Sequence, residues 1–333
     1  AKLLRRDTAE ELLEEKYREG DTDFLQFVEC FANGKNDENL IEMIWQVYEF
    51  SRSHPWPEEW LKECKKNYDI DTLEDLISSE WMKMICEQVD QTLNDLEMIR
   101  KEALKVANSP YGPWMYADAL EQDGEILKQL SKGNDYAEYA RRFLNIRKFA
   151  VLSRKKDEEV SDEKREQVKL LRDQIKKGIA SLQEQYFYQS PQEMLEELKA
   201  GKVSAQMLLM LASEFGMRFT EKKRERNLLD FSDLEHLALQ ILVKKENGNV
   251  VPGEAALAFS KQFEEIMIDE YQDSNMVQEL ILISISRCSM GQNNLFMVGD
   301  VKQSIYRFRL ACPELFMEKY DTYTTEDSEN QKI

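Results

Sequence analysis

The sequence predicts an α/β protein that is mostly helical overall, with a small parallel sheet near its C-terminal end. Three observations carry this. The 333 residues hold only 12 Gly and 7 Pro, and abundant Glu, Lys, Leu and Gln favour long helices. Residues 1–215 read as one amphipathic helix after another. From residue 216 the character changes, and two short apolar runs, "EEIMIDE" and "NNLFMVGD", flank a helical pattern. A strand–helix–strand unit of that length requires parallel strands and a right-handed crossover. Two regions follow: 1–215, helical, and 216–333, carrying the sheet.

The elements can be justified in order. "DTAEELLEEKYREG" offers Asp7 or Thr8 as an N-cap and Gly20 as a stop. "LIEMIWQVYEFSR" has apolar residues spaced for one helical face. In "SHPWPEEWLKECKK", Pro57 suits the first turn of a helix. The run from Asp71 to Ala107 is one long helix or two abutting ones, and "NSPYGPW" breaks the pattern. Further on, Val168, Leu171, Ile175, Ile179 and Leu182 trace one apolar stripe. "LLDFSDLEHLALQIL" is a helix announced by Asp230 or Ser232, and "SNMVQELILISISR" is one capped by Ser274 or Asn275.

Composition excludes several classes. A net charge of −19 argues against coating nucleic acid by bulk attraction, so any such site is confined to one face. Two stretches run against that balance: residues 141–156, "RRFLNIRKFAVLSRKK", with seven basic residues and no acid, and 218–226, "RFTEKKRER". Both are ordinary solvated charge or a phosphate-tracking surface. Five scattered cysteines, none in a C-x-x-C pair, argue against a disulfide framework and against a zinc or iron–sulfur cluster in this chain. Only two histidines, His54 and His236, are present, too few for a His-based metal cage. The opening residues carry charge where a signal peptide is apolar, and no stretch approaches the roughly 18 apolar residues of a membrane span. A soluble, cytoplasmic protein with no membrane partner is expected.

The chemistry lies in the last third. In "IMIDEYQDSN", residues 266–275, an apolar strand runs into Asp269 and Glu270, with Asp273 one short turn on. An Asp on the end of a buried strand is a rigid mount for Mg²⁺, which takes hard oxygen ligands. Glu270 can accept a proton from a water aimed at a phosphate. The second strand ends at Asp300, so two acids meet at the sheet edge where ligands bind in α/β folds. In "VGDVKQSIYRFRLACPELF", residues 298–316, Gly299 permits a sharp turn and Gln303 can sense a phosphate through hydrogen bonds. Tyr306 and Phe308 alternate with Arg307 and Arg309, a pattern suited to single-stranded nucleic acid, or to core residues at strand spacing. No G-x-x-x-x-G-K-[ST] phosphate loop occurs in the chain.

These strings carry a resemblance. "IMIDEYQDSN" resembles motif II of the superfamily 1A helicases of the UvrD/Rep/RecB group, and "VGDVKQSIYRFR" resembles their motif III. "LDFSDLEHLAL" is similar to the short acidic motif that precedes motif II. "RFRLACPELF", "YEFSRSHP" and "PYGPWMYADAL" resemble the AddA-type helicase–nuclease subunits within that group. The resemblance implies part of a RecA-like P-loop NTPase domain, 1A, over 216–333, with 1–215 largely its all-α 1B-like insertion. It implies an internal piece, with the phosphate loop upstream, and motifs IV to VI and a nuclease domain downstream. It implies ATP and Mg²⁺ as cofactors. The partners would be DNA, as single strand and duplex end, and an AddB-type subunit in a heterodimer. The activity would be ATP-dependent unwinding and exonuclease processing of double-strand ends for recombinational repair.

Carried over residue by residue, Asp269 would coordinate Mg²⁺ and Glu270 would be the catalytic base. Gln272 and Gln303 would belong to the nucleotide site, with Gln303 coupling the γ-phosphate to DNA. Tyr306, Phe308 and Arg309 would contact single-stranded DNA. Phe308 stands where Trp is frequent and Leu310 where Gly is usual, which leaves the backbone path after Arg309 open. Two other readings stay open: a non-catalytic helicase-like DNA-binding or scaffold module, and a UvrD-type helicase without nuclease.

Overall fold

The computed structural model describes residues 2–32, 36–131, 133–155, 157–246, 248–303 and 310–323. In chain order the elements are α1 (Lys2–Glu19), α2 (Thr22–Phe31), α3 (Glu38–Ser51), α4 (Pro57–Lys66), α5 (Leu73–Ser78), α6 (Glu80–Ala107) and α7 (Ala117–Leu130). Then come α8 (Tyr136–Leu144), α9 (Asp162–Tyr186), α10 (Pro191–Glu225), α11 (Phe231–Leu242), β1 (Val243–Glu246) and β2 (Asn249–Pro252). The last are α12 (Glu254–Gln262), β3 (Ile266–Ile268), α13 (Met276–Ile285), β4 (Leu295–Met297) and α14 (Pro313–Thr322).

Most boundaries follow the local chemistry. Pro57 opens α4, and Gly20 ends α1 with φ +68. The run after Asp71 is two abutting helices, α5 and α6, separated by Ser79 in an extended conformation. Asp230 and Asn275 each close a capping box, with Asp233 and Gln278 respectively. The α1 start differs from expectation. The helix begins at Lys2, so Asp7 and Thr8 lie inside it, and Thr8 Oγ1 donates to the Leu4 carbonyl at 2.7 Å. Leu4 is buried in the same core as Leu12 and Leu13, and that packing overrides the local cap signal. The β1–β2 hairpin was not expected. Its signal is the Asn247-Gly248 pair: Glu246 faces Asn249 across a two-residue turn, with Gly248 at φ +82.

The chain forms two compact units, residues 1–68 with 203–333, and residues 69–202. This division differs from a boundary near 215, because α1–α4 pack with the end of α10. In the first unit Phe24, Phe27, Leu40, Ile44 and Tyr48 close on Leu211, Phe215 and Phe219 of α10. Farther along the same unit, β3 and β4 pair in parallel with α13 as the crossover, in the register Ile266↔Leu295, Met267↔Phe296 and Ile268↔Met297. One face of this pair is open, with Met267 72% and Phe296 62% exposed.

The second unit is helical among the described residues. The α9 stripe is buried at Val168, Ile175, Ile179 and Leu182, against α6 and its neighbours. A Cβ at Gly178 would lie 2.7 Å from a Leu96 methyl, so glycine permits the close approach of α6 and α9. Phe187 stacks on Phe143 at 4.3 Å and on Tyr136 at 5.4 Å. Arg172, inside the apolar stripe, pairs with the fully buried Asp123: Nε to Oδ2 at 2.6 Å, and Nη2 to Oδ1 at 2.9 Å. Its Nη2 also donates to the Ala150 carbonyl at 2.7 Å, which pins the segment carrying Arg147, Lys148, Arg154 and Lys155.

Candidate functional site

The strands set the site through their backbone. Val298 N–H donates to Ile268 O, and Tyr271 N–H to Val298 O, both at 2.9 Å. These bonds carry the pairing past the ends of β3 and β4. Asp269 and Asp300 therefore stand at the same edge, both exposed. Asp269 Oδ1 accepts the Glu270 N–H at 2.9 Å, and among the described residues its Oδ2 accepts no hydrogen bond. Glu270 adopts φ +52, ψ 39, a left-handed conformation uncommon for a non-glycine residue, and leads into a 3-10 turn over Tyr271–Asp273.

Gln272, only 1% exposed, joins the two strand ends. Its Nε2 donates to Glu270 Oε2 at 2.7 Å, and its Oε1 accepts the Asp300 N–H at 2.9 Å. A backbone N–H faces one end of the amide and a carboxylate the other, so only one orientation satisfies both. Gln303 extends the chain: its Nε2 donates to Asp300 Oδ2 at 3.0 Å and its backbone N–H to Asp300 O at 2.8 Å. Glu270, Gln272, Asp300 and Gln303 are thus linked in sequence by hydrogen bonds. Gly299 makes this possible, because a Cβ there would lie 2.4 Å from Gln272 Oε1 and 3.2 Å from Gln272 N.

Buried polar groups brace the turn from behind. Tyr271 is 1% exposed and donates to Glu279 Oε2 at 2.5 Å, while Lys319 of α14 donates to Glu279 Oε1 at 2.6 Å. Burial, and then the bond to Glu279, pushes the Tyr271 hydroxyl pKa far above its usual value, so it stays a donor. Cys312 N–H donates to Ser274 O at 2.9 Å. Leu310, which stands where glycine is usual in the resembling motif, takes φ +63, so it keeps a backbone conformation that glycine adopts freely.

The short acidic motif on α11 is a clamp. Lys223 Nζ donates to Asp230 at 2.8 Å and to Asp233 at 2.6 Å, and Arg52 donates to Ser232 at 2.8 Å and Asp233 at 3.2 Å. Glu235 accepts from Gln278 at 2.8 Å, which ties α11 to the helix that follows Asp269 and Glu270.

The structure brings together Asp269, Glu270, Gln272 and Gln303 from the sequence-marked set. Tyr306, Phe308 and Arg309 lie outside the described residues. Sequence reasoning missed Glu279 and Lys319, because a Glu and a Lys on helices read as solvated charge; the signal was Tyr271, whose buried hydroxyl needs a partner. Among the described residues no three His, Cys, Asp or Glu side chains gather in a metal-holding group. Mg²⁺ needs none, since it keeps several waters and is held by one or two carboxylates plus phosphate oxygens. The exposed Asp269 carboxylate fits that donor set. A cavity of about 740 Å³ bounded by Arg52, Trp56, Arg224, His236 and Lys244 contains none of the sequence-marked residues. No helix among the described residues is long and apolar enough to cross a membrane.

Residues 63–324 match the UvrD/REP helicase N-terminal domain family, a span that includes both strand ends and the α11 clamp. The chain belongs to that family. Three curated relatives are named as ATP-dependent helicase/nuclease subunits of type A. The one from Lachnoclostridium phytofermentans is 46% identical over 99% of this chain and 24% of the relative. Those from Clostridium beijerinckii and Geobacillus kaustophilus are 40% and 38% identical over 99% and 98% of this chain, and 27% of each relative. The chain spans about a quarter of the length of these relatives. As a member of the UvrD/REP family it carries "DEYQD" and "GDVKQ" on the hydrogen-bonded edge described above.

Proposed function

We propose that this UvrD/REP-family chain carries part of the ATP-hydrolysing centre of an AddA-type helicase–nuclease subunit. The observation that carries the reading is the hydrogen-bonded chain from Glu270 through Gln272 and Asp300 to Gln303, at the carboxyl edge of two parallel strands. Asp269 holds Mg²⁺ and Glu270 takes the proton of the attacking water. Gln303 senses the γ-phosphate. Bound Mg²⁺ would neutralise charge on the phosphates. Tyr306, Phe308 and Arg309 contact single-stranded DNA. Residues 216–333 belong to a RecA-like 1A domain, and the helical region over 1–215, with unit 69–202 as its body, is largely a 1B-like insertion. The exposed Met267 and Phe296 support a sheet that further strands extend or cover in the full-length protein. Exposed Arg147, Lys148, Arg154 and Lys155 support phosphate contacts on the insertion.

The full-length protein, with an AddB-type partner, unwinds and processes double-strand DNA ends for recombinational repair in the cytoplasm. This chain alone does not hydrolyse ATP, because its sequence holds no loop for the β- and γ-phosphates. The test is Glu270→Gln in the full-length protein. Loss of a general base lowers kcat by roughly 10²–10⁴. ATP hydrolysis and unwinding should therefore collapse while nucleotide binding persists. Undiminished unwinding would assign the base elsewhere. A wild-type full-length protein that binds DNA without hydrolysing ATP would favour the scaffold reading.

A further inference from the structure

Gln272 is held at both ends, and its two partners differ in kind. Its Oε1 is fixed to the Asp300 backbone, and its buried position leaves the amide no other course. Its Nε2 reaches Oε2 of Glu270, an exposed side chain on a left-handed backbone. Among the described residues, no hydrogen bond involves Glu270 Oε1. One carboxylate oxygen is thereby pinned and the other left for a water molecule. Asp300 also carries the Gln303 amide on its Oδ2, so a shift of the Gln303 turn is felt at Glu270 through one side chain.

We propose that Gln272 is a positioning residue for the Glu270 carboxylate, tying its orientation to the turn that bears Asp300 and Gln303. The inference rests on the reading of Glu270 as the base for water. Gln272 itself need not touch nucleotide, because its Oε1 and one N–H of Nε2 are already committed. Gly299 belongs to the same device: it keeps the space into which Oε1 reaches.

The decisive variant is Gln272→Glu in the full-length protein. It is nearly isosteric and can still accept the Asp300 N–H. It sets oxygen against oxygen at Glu270 unless the two carboxyls share a proton. Misplacing a reacting group by an ångström costs up to about a hundred-fold in rate. The ATPase kcat should fall by at least about ten-fold at alkaline pH. It should recover on mild acidification as the pair takes up one proton, with KM for ATP little changed. Gln272→Leu should lose rate at every pH without that alkaline limb. An independent readout needs no variant of Gln272. In wild-type protein labelled with ¹⁵N at glutamine, its side-chain amide resonances should move as the Glu270 carboxyl titrates, and stop doing so in Glu270→Gln. A Gln272→Glu profile that follows wild type, or an amide indifferent to Glu270, would overturn the inference. A full-length protein that hydrolyses no ATP but shows the amide titration would overturn the functional reading alone.

Discussion

Removing the Asp123 carboxylate tests whether a charged residue inside an apolar stripe holds the 69–202 unit together. Asp123 is fully buried and Arg172 is 3% exposed, with two bonds of 2.6 and 2.9 Å between them. Asp123→Ala leaves the guanidinium buried with only the Ala150 carbonyl as a remaining acceptor. Breaking a buried pair from one side costs about 3–5 kcal/mol, whereas an exposed pair is worth under about 1 kcal/mol. For a unit of this size the larger figure corresponds to a fall in Tm of roughly 10–20 °C. Urea unfolding followed by the fluorescence of Trp81, which packs against this core, reads the change directly. The double variant Asp123→Leu with Arg172→Met removes both charges and should recover most of the loss, since an apolar pair of similar volume is close to neutral. Trypsin cleavage at Arg147, Lys148, Arg154 and Lys155 should nonetheless speed up in Arg172→Met, because the Ala150 carbonyl loses its donor. A cost below about 1 kcal/mol for Asp123→Ala, or a double variant worse than the single, would refute the argument.

Two further outcomes follow from the first unit. Burial, and then the nearby Arg52 charge, lowers the His236 pKa, against opposing pulls from its Arg52 carbonyl contact, Asp233 and Asp230. Its Nε2 sits 3.0 Å from the Arg52 carbonyl, so the neutral ring donates there. The unfolded chain therefore binds the proton first, and stability is fully present above the ordinary value of about 6.5 and falls as pH drops through the lowered one. His236→Gln keeps a donor and does not titrate, so its unfolding midpoint should vary less with pH below about 6.5. Gly299→Ala places a Cβ against Gln272 Oε1 and Phe316, with closest approaches of 2.4 and 3.0 Å. Overpacking of this kind costs about 1–3 kcal/mol. The variant should also lose ATPase rate in the full-length protein, and a fully active, equally stable Gly299→Ala would show that the contact is slack.

Local chemistry made much of the fold legible. Pro57, Gly20, Asp230 and Asn275 act where side chains cap or stop helices through their own atoms, so a few adjacent residues suffice. The parallel pairing of β3 and β4 follows from spacing, because a ten-residue helix lies between two apolar runs. Asp7 and Thr8 failed as caps because Leu4 is drawn into a core built by residues near 211 and 215, which no local window contains. Arg172 shows the same limit from another side. It stands four residues after Val168 and three before Ile175, on the buried stripe, yet its charge reads as solvated until Asp123 is placed opposite.

The candidate site divides the same way. Asp269, Glu270 and Asp300 are visible because each terminates an apolar run, and a carboxylate there has few structural uses. The bridge through Gln272 is invisible, because its partner is a backbone N–H 28 residues away and carries no side-chain signature. What the sequence does carry is Gly299, whose meaning is steric. It reads as freedom to turn, but its φ is not in the left-handed region, and the constraint comes from Gln272. The two short strings "DEYQD" and "GDVKQ" are therefore one structure, in which a missing methyl on one strand end makes room for the amide that orients the carboxylate on the other.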